Sequence, residues 1–297
     1  MSQARIKDRI CIIGMGKVGT AVGHLLNRAG YTIAAVASRT IASAEKNASY
    51  TGGVVCASPA EAASRADCVL ITTGDDSIAP VCRSLAACGS FRKGRKVVHM
   101  SGAGGLDLLA PARGAGAHTA SIHPIQSFAD VPGAIRNIPG STFGITSDPE
   151  IRDWCVGFVR DLGGIPFFVS EEEKPLYHAA ACMASNYLVA LMNAVEDIYA
   201  GFGLSASDAK KAFWPLVLGT IGNIESKGTI QALTGPIARG DSGTIRKHLR
   251  AFAQAKPAYL PAYRELGLLA VDIGLLKGTL SVEKANEMKK ILKGESG

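Results

Sequence analysis

Short apolar, β-branched runs alternate with segments of helical spacing through the first 170 residues of the chain. The runs predict strands at 9–13, 32–38, 53–56, 67–72, 96–101, 117–122, 142–146 and 165–169. Segments such as 17–29 and 148–162 carry apolar residues at helical spacing between the strands. Because such alternation is typical of βαβ units, residues 1–170 are predicted to form a doubly wound α/β domain with a mainly parallel sheet.

After Ser170 the apolar positions follow long helical periods instead. The predicted helices span 174–201, 207–226, 241–254, 257–277 and 281–293. The breaks between them contain glycine, proline and capping serine, as in "GFGLSAS" and "KGTLS". The chain is therefore predicted to hold two domains, an α/β domain over 1–170 and an all-α domain over 171–297. The junction is short, so we expect the domains to pack closely with a cleft between them.

A glycine-rich turn follows the first predicted strand, in "ICIIGMGKVG", and its glycines form a GxGxxG pattern. Between a strand and a helix, the first glycine allows the tight turn, the second admits a pyrophosphate, and the third permits close packing. The helix N-terminus attracts the phosphate charge. This pattern predicts a dinucleotide-binding domain of the Rossmann type, and a glycine turn without a ligand is the alternative. The predicted cofactor-binding residues of the loop are Gly14, Met15, Gly16, Lys17, Val18 and Gly19.

The second strand ends in "VASRT", where NAD-binding domains usually carry an acid that holds the ribose hydroxyls. This chain has Ser38, Arg39 and Thr40 there and no acid. An arginine can stack on adenine and pair with a 2′-phosphate, and the hydroxyls can add hydrogen bonds. These residues therefore favour NADP over NAD, unless Arg39 is only a solvated loop residue.

The fourth strand runs into "ITTGDDSI". Ligands of such sheets bind beyond the carboxyl ends of the strands, so we expect Thr72, Thr73 and Gly74 to pass close to the ribose and nicotinamide. Asp76 is predicted to cap the helix that follows.

Two further strand ends carry candidate catalytic residues. Ser101 ends the fifth strand in "VVHMSGAGG", and His123 ends the sixth in "ASIHPIQSF". His123 could donate a proton or bind a carboxylate, or it could be a buried histidine satisfied by the backbone. His99 lies inside the fifth strand and is expected in the core.

The start of the helical region, "EEEKPLYHAAACMASN", places a lysine and a histidine four residues apart. Lys174 and His178 would share one helix face, about 6 Å apart, so both could address one small substrate. Either cation could stabilise negative charge on a reacting oxygen and supply the proton, and a nearby second cation would lower the pKa of the lysine. Alternatively, Lys174 only precedes Pro175 at an ordinary helix start.

Three residues farther along are weaker candidates for substrate binding. Asn186 follows Lys174 by twelve residues, roughly 18 Å along a helix, so the two cannot both touch one small reacting group. Asn186 could orient a distal substrate group or the nicotinamide amide, or it could join two helices by a buried hydrogen bond. The loop "TGPIARGD" carries Thr234 and Arg239, and Arg239 could bind a carboxylate or phosphate. Asp241 in the same loop resembles a helix N-cap.

Composition narrows the function classes. Of 297 residues, 47% are hydrophobic and 19% charged, which fits a soluble globular protein, and no apolar run is long enough for a membrane span. The seven cysteines are scattered without a CxxC spacing, so no metal site is predicted, and free thiols indicate a cytoplasmic location. The net charge of +7 is spread out, so nucleic acid is not an expected partner.

These motifs together resemble the 6-phosphogluconate dehydrogenase-like superfamily of NADP-dependent oxidoreductases over nearly the whole chain. The resemblance is carried by "IGMGKVG", the eight predicted strands, "SGA" at 101–103 and the helical second half. "SIHPIQSF", "KPLYHAAACMASNYLVAL" and "ALTGPIARGD" are similar to an uncharacterised branch that joins a Rossmann-like NADP-binding domain to a helical domain of unknown function.

The resemblance implies hydride transfer between NADP(H) and a small substrate in the interdomain cleft. It also implies a homodimer formed through the helical domain, which would resemble the 6-phosphogluconate dehydrogenase C-terminal domain. In the β-hydroxyacid dehydrogenases of this superfamily, a serine of an SGG-type turn holds the substrate, which corresponds to Ser101. Those enzymes place an asparagine four residues after the lysine, whereas Lys174 here is followed by His178. The His123–Pro124 pair is instead similar to prephenate dehydrogenases.

We therefore expect an NADP-dependent dehydrogenase or reductase that acts on a small carbonyl, hydroxyacid or imine. The predicted catalytic residues are Ser101, His123, Lys174 and His178. One alternative is an NADP-binding sensor or scaffold without turnover. Another is a reductase that exchanges hydride between NADP and a deazaflavin.

Overall fold

A computed structural model of the protein describes residues 7–295. The chain divides into two compact units, the first ending at Asn186 and the second beginning at Tyr187. The helix that starts at Lys174 thus belongs to the first unit, whereas the predicted domain boundary at 170/171 placed it in the second. Each unit is described separately below.

The first unit is built on one eight-stranded sheet in the order β3-β2-β1-β4-β5-β6-β7-β8. Strands β1 to β6 run parallel to their neighbours, and β7 pairs antiparallel with β6 but parallel with β8. The strands are β1 Arg9–Ile13, β2 Thr32–Ala37, β3 Val54–Val55, β4 Cys68–Ile71, β5 Lys96–His99, β6 His118–Pro124, β7 Thr142–Ser147 and β8 Ile165–Phe168. The predicted doubly wound, mainly parallel sheet is confirmed.

Helices cover both faces of this sheet, so its central strands are apolar at nearly every position. Along β1, Ile10 and Ile12 join one core cluster, and Cys11 and Ile13 join the cluster on the other face. The helices of the unit are α1 Lys17–Arg28, α2 Ile41–Ala48, α3 Pro59–Ser64, α4 Asp75–Ala87, α5 Ala110–Gly114, α6 Val131–Asn137, α7 Arg152–Asp161 and α8 Lys174–Ala184. Because β1, β2, β4, β5 and β6 are mutually parallel, their carboxyl ends lie along one edge of the sheet, where the predicted site residues follow.

The second unit is helical, as predicted, and three of its helices share a small core. Helices α12, α13 and α14 bury Ile245, Val271, Met288 and Leu292 against one another. The described helices after α8 are α9 Asn186–Ala200, α10 Ala206–Ala232, α11 Gly235–Ala238, α12 Ser242–Ala255, α13 Leu260–Leu276 and α14 Val282–Lys293. No helix within residues 7–295 combines the length and the apolar character that a membrane span requires.

The predicted single helix over 174–201 is wrong. Ser185, with φ −117° and ψ −69°, is the C-cap of α8, and α9 begins at the next residue. The helix predicted at 207–226 extends to Ala232 and is kinked at Gly228, whose φ of +76° is left-handed. The Asp241 cap is confirmed, because its side chain accepts a hydrogen bond from the backbone N–H of Thr244.

Candidate functional site

The glycine-rich loop has the geometry of a phosphate-binding turn. Gly14 has φ +107°, a conformation that residues with a side chain rarely adopt. A Cβ at Gly19 would collide with the carbonyl oxygen of Gly14 and with Oγ1 of Thr72, so this position must stay glycine. Gly16 caps α1 without a side-chain hydrogen bond, and the space around its Cα is open. The first-turn N–H groups of α1, beginning at Lys17, therefore have no side-chain cap and no atom packed over Gly16 beside them.

The backbone of this loop is held by two side chains from the neighbouring βα unit. Oγ of Ser38 accepts a hydrogen bond from the Met15 N–H at 2.8 Å, and Nδ2 of Asn47 donates to the Met15 carbonyl at 2.8 Å. Ser38 was predicted to bind the cofactor together with this loop, and its hydroxyl holds the loop backbone in place. Asn47 was not predicted, because nothing in the sequence links an α2 residue to a turn 32 positions earlier.

Of the three residues predicted to select NADP, only Arg39 has a side chain without a partner in the described part of the chain. It is exposed and makes neither a hydrogen bond nor an ion pair with any residue from 7 to 295. Thr40 is the N-cap of α2: its Oγ1 accepts from the Ser43 N–H at 3.2 Å and donates to the Ser43 hydroxyl at 2.8 Å. The guanidinium group of Arg39 is therefore the part of this segment that can receive a 2′-phosphate.

The end of β4 lies directly beside the glycine loop. Oγ1 of Thr72 donates to the Gly14 carbonyl at 2.7 Å, which ties the two strand ends together. Oγ1 of Thr73 is buried without a hydrogen-bond partner among the described residues. The prediction that Asp76 caps the next helix is wrong, because α4 begins one residue earlier with Gly74 as its N-cap.

A second group of polar residues forms where α8 lies against β6. Nζ of Lys174 donates to Oγ of Ser121 at 2.8 Å, and the Tyr177 hydroxyl lies 2.8 Å from Nδ1 of His123. The spacing of Lys174 and Tyr177 along α8 matches the spacing of Ser121 and His123 along β6. Three residues of a helix and two residues of a strand each span roughly 5–7 Å. Alternate residues of β6 share one face, so Ser121 and His123 meet successive turns of α8.

Lys174 is a buried cation, with 1% of its surface exposed. Burial lowers the pKa of its ammonium group to about 8, while the charges of Glu171 and Asp75 act in the opposite direction. The sequence argument named a second cation as the cause of a lowered pKa. That cause is wrong, because the lowering comes from removal of the ammonium group from water.

His123 is held as a neutral imidazole. Burial lowers its pKa to about 4, and the nearby positive charges of His178 and Lys174 add to this effect. Burial also raises the pKa of Tyr177 to about 12, so its hydroxyl keeps its proton. We assign this hydroxyl as the donor to Nδ1 of His123, 2.8 Å away. The proton of this imidazole then resides on Nε2, which makes no hydrogen bond with another described residue.

His178 faces His123 across Gly102. The two imidazole rings stand edge to face with their centroids 5.7 Å apart. Nδ1 of His178 is buried without a partner among residues 7–295, and its Nε2 contacts Sγ of Cys182 at 3.6 Å. A Cβ on Gly102 would collide with Nδ1 of His178 and lie 2.8 Å from Nε2 of His123. The glycine therefore lets the loop backbone approach both unpartnered imidazole nitrogens.

Ser101 lies in the same cluster, but its hydroxyl serves the loop. Oγ of Ser101 accepts from the Gly104 N–H at 2.9 Å, and its carbonyl accepts from the Ser121 hydroxyl at 3.1 Å. His99, fully buried as predicted, accepts from the Ser101 N–H through Nδ1. The structure thus brings together the four residues predicted to be catalytic.

The weaker candidates belong to other elements of the chain. Asn186 is exposed at the start of α9, two residues beyond the end of α8. Thr234 and Arg239 belong to the second unit, at the two ends of the short helix α11. In the described part of the chain no group of three or more His, Cys, Asp or Glu side chains is arranged to hold a metal ion.

Sequence reasoning missed Ser121 and Tyr177. Ser121 stands two residues before His123 on the same strand, and Tyr177 stands three residues after Lys174 on the same helix. These periodicities could have marked both residues as neighbours of the predicted pair.

Comparison with known protein families agrees with this architecture. Residues 1–124 match the model of a Rossmann-like domain, and residues 141–270 match the model of a domain of unknown function, DUF2520. The pairing of these two domains that the sequence resemblance indicated is confirmed. No curated protein matches the sequence at a significant level.

Solved structures with the same fold cover almost the whole chain. A proposed NADP oxidoreductase from Bacteroides fragilis is 22% identical with a TM-score of 0.70, covering 90% of this chain and 98% of its own. Pyrroline-5-carboxylate reductase from Coxiella burnetii is 19% identical with a TM-score of 0.59, covering 96% and 100%. A reductive aminase from Aspergillus terreus, in complex with NADPH and ethyl-5-oxohexanoate, is 17% identical with a TM-score of 0.60, covering 97% and 93%. At these identities the similarity establishes the fold.

Proposed function

We propose that this protein is an NADP-dependent oxidoreductase that transfers hydride between NADP(H) and a small carbonyl, hydroxyacid or imine substrate. The observation that carries the proposal is the open N-terminus of α1 at Gly16, with the unpartnered Arg39 at the end of the adjacent strand. The structural neighbours described as an NADP oxidoreductase, a pyrroline-5-carboxylate reductase and a reductive aminase support the same reaction class.

The residues present fit a dinucleotide with a 2′-phosphate. The N–H groups of Lys17 and Val18 would hold the pyrophosphate at the start of α1, because no side chain caps that end. Arg39 would pair with the 2′-phosphate, and the buried, unpartnered hydroxyl of Thr73 would bond to the cofactor near the end of β4. When bound, the nicotinamide ring supplies or accepts the hydride.

The residues around Gly102 would act on the substrate. Nε2–H of His123 would donate a hydrogen bond to the carbonyl oxygen or imine nitrogen and orient it. The positive charge of Lys174 would stabilise negative charge that develops there, since a buried charge acts in a low dielectric. His178 offers a second nitrogen for proton exchange with the reacting group, because its Nδ1 has no partner among the described residues.

The proposal is tested by titrating the purified protein with NADPH and NADH by calorimetry, followed by absorbance at the reduced nicotinamide band with a panel of carbonyls and imines. Tight NADPH binding, weaker NADH binding and turnover of at least one compound class are expected. A folded protein that binds neither nucleotide would overturn it. Nucleotide binding without turnover of any compound would support a sensor or scaffold, and hydride exchange only with a deazaflavin would support the deazaflavin reductase.

We also propose a homodimer formed through the second unit. Helix α9 has no buried residue, and α10 buries only Ala209 and Phe213 within the chain. Large apolar side chains are exposed along these helices, among them Tyr187, Val189, Leu216, Leu218 and Ile221. A second copy of the chain is the occupant that would cover a surface of this extent, which a monomer rarely exposes.

Light scattering should then give twice the chain mass of 30.9 kDa. Leu216→Glu should convert the protein to a monomer, because it places a charge on a side chain that is 71% exposed in the single chain. Val54→Glu, on a strand of the first unit, is the matched control and should remain dimeric. A monomeric wild type at micromolar concentration would contradict the dimer.

The seven cysteines are all free thiols, which supports the predicted cytoplasmic location.

A further inference from the structure

The carboxylate of Glu171 is bonded to the loop that follows β5. The N–H of Leu106 donates to both of its oxygens, at 2.9 Å to Oε1 and 3.2 Å to Oε2. Glu171 stands three residues before α8, and Leu106 follows the "SGAGG" segment directly. This contact joins two segments that are 65 residues apart in the sequence. A hydrogen bond to a charged acceptor is stronger than one between neutral groups.

The same loop is also held by two hydrogen bonds with the imidazole of His99. Its Nδ1 accepts from the Ser101 N–H at 3.1 Å, which leaves the proton on Nε2 to donate to the Gly105 carbonyl at 3.0 Å. This assignment agrees with the pKa of His99, which burial lowers to about 4. A Cβ at Gly105 would collide with Oε2 of Glu171, so the carboxylate rests directly on the loop backbone.

The three neighbouring acids of "EEEK" have different roles in the structure. Oε2 of Glu173 accepts from the Ser170 N–H at 3.0 Å and closes its own turn. Glu172 is exposed and makes no hydrogen bond or ion pair with any described residue. Glu171 alone of the three bonds to the segment that carries Ser101 and Gly102.

We propose that Glu171 is a positioning residue that clamps the 101–106 loop, so that Gly102 stays packed against the imidazoles of His123 and His178. The clamp fixes the backbone near Gly102, which lies against Nδ1 of His178 and Nε2 of His123. Its consequence for turnover rests on the proposed function, because those imidazoles act on the substrate there.

Glu171 also acts on Lys174 through its charge. The ammonium group donates to Ser121 and interacts electrostatically with Glu171 and Asp75. Its charge also acts on the imidazoles of His99 and His123. Glu171 is the first of the two acids that raise the pKa of Lys174 against the effect of burial. Loss of this charge should therefore make the lysine easier to deprotonate.

The clamp is tested by amide hydrogen exchange in the intact protein without cofactor or substrate. Glu171→Ala should speed exchange of the Leu106 amide by at least about tenfold, the effect of losing about 1.4 kcal/mol of hydrogen bonding. The ring resonances of His123 and His178 should shift as Gly102 moves. Glu172→Ala is the matched control and should change neither. Unchanged Leu106 exchange in a folded Glu171→Ala protein would overturn the proposal.

A second variant separates the charge from the clamp and serves if Glu171→Ala does not fold. Glu171→Gln keeps an acceptor oxygen, so Leu106 protection should fall less than in the alanine variant. The pKa of Lys174, followed by NMR of its ¹³Cε and ¹⁵Nζ nuclei in isotope-labelled protein, should fall below its wild-type value. A Glu171→Gln protein with wild-type exchange, ring resonances and lysine titration would also overturn the proposal. These measurements do not need turnover, so they stand apart from any failure of the NADPH-binding test.

Discussion

The ammonium group of Lys174 donates a hydrogen bond to the hydroxyl of Ser121, 2.8 Å away, and so joins the first turn of α8 to the central part of β6. The hydroxyl of Ser121 in turn donates a hydrogen bond to the carbonyl of Ser101, so the chain of hydrogen bonds ends at the backbone. The ammonium group of Lys174 is therefore held in one position, and under the proposed function we expect it to act on the reaction through its charge.

Lys174→Met should alter how stability depends on pH. The pKa of the lysine is about 8 in the folded protein and 10.5 when unperturbed, so the unfolded chain binds more protons between these values. The free energy of unfolding of the wild type, relative to the variant, should rise on the order of 1–3 kcal/mol as the pH increases through this window. Denaturant unfolding at pH 7.5 and 10 measures it. Lys227→Met, at an exposed position, should show no such trend, and a pH-independent difference for Lys174→Met would contradict the assignment.

His99 and His123 should make the protein sensitive to acid. Their pKa values are about 4 when folded, against 6.5 for a free imidazole, so the stability present above pH 6.5 is lost as the pH falls towards 4. Each histidine contributes up to about 3 kcal/mol to this loss. His99→Gln should therefore show a shallower decline of unfolding free energy between pH 7 and 4.5, although it is less stable at pH 7. His118→Gln, which alters an imidazole without a hydrogen-bond partner among the described residues, should decline as the wild type does.

Tyr177→Phe should allow the imidazole of His123 to adopt both neutral tautomers. The phenol hydroxyl is the only group that bonds to Nδ1 of this imidazole within the described chain, and without it the proton can move between the two nitrogens. Nitrogen NMR should show a single Nε2–H form in the wild type and a mixture in the variant. Turnover should fall about 10- to 100-fold, the range of a lost acid–base or orienting group. Tyr50→Phe, at a 37% exposed tyrosine outside the α8–β6 cluster, is the control. A mixed tautomer already present in the wild type would refute the assignment.

Arg39→Asp should reverse the cofactor preference. The substitution removes the guanidinium group and places a carboxylate where it would repel a 2′-phosphate and accept hydrogen bonds from ribose hydroxyls. We expect NADPH affinity to fall about 100-fold, or roughly 3 kcal/mol, and NADH affinity to stay within about threefold. Calorimetry with both nucleotides measures this change. Lys93→Asp changes the net charge equally at a loop before β5 and should affect both nucleotides little. Equal wild-type affinities for NADPH and NADH would count against the cofactor assignment.

The sequence alone determined the strands, the glycine loop and the change to helices after Ser170. These features depend on local periodicity and on glycine geometry, which nearby residues specify. It also identified four residues that meet in one cluster. Ser101 and His123 follow from parallel strands that place their carboxyl ends at the same edge, and Lys174 and His178 follow from i,i+4 spacing on one helix face. It could not show that α8 ends at Ser185, since the sequence there carries no glycine or proline that would mark a helix end.

Only the tertiary structure decided what each polar residue does. The string "EEEK" gives no sign that Glu171 reaches Leu106 while Glu172 stays in solvent, because the distinction arises from a loop 65 residues away. The same holds for Lys174: its pKa depends on removal from water, and burial is a property of the packed chain. Spacing along the sequence selects which side chains can share a face, whereas packing sets their partners and protonation.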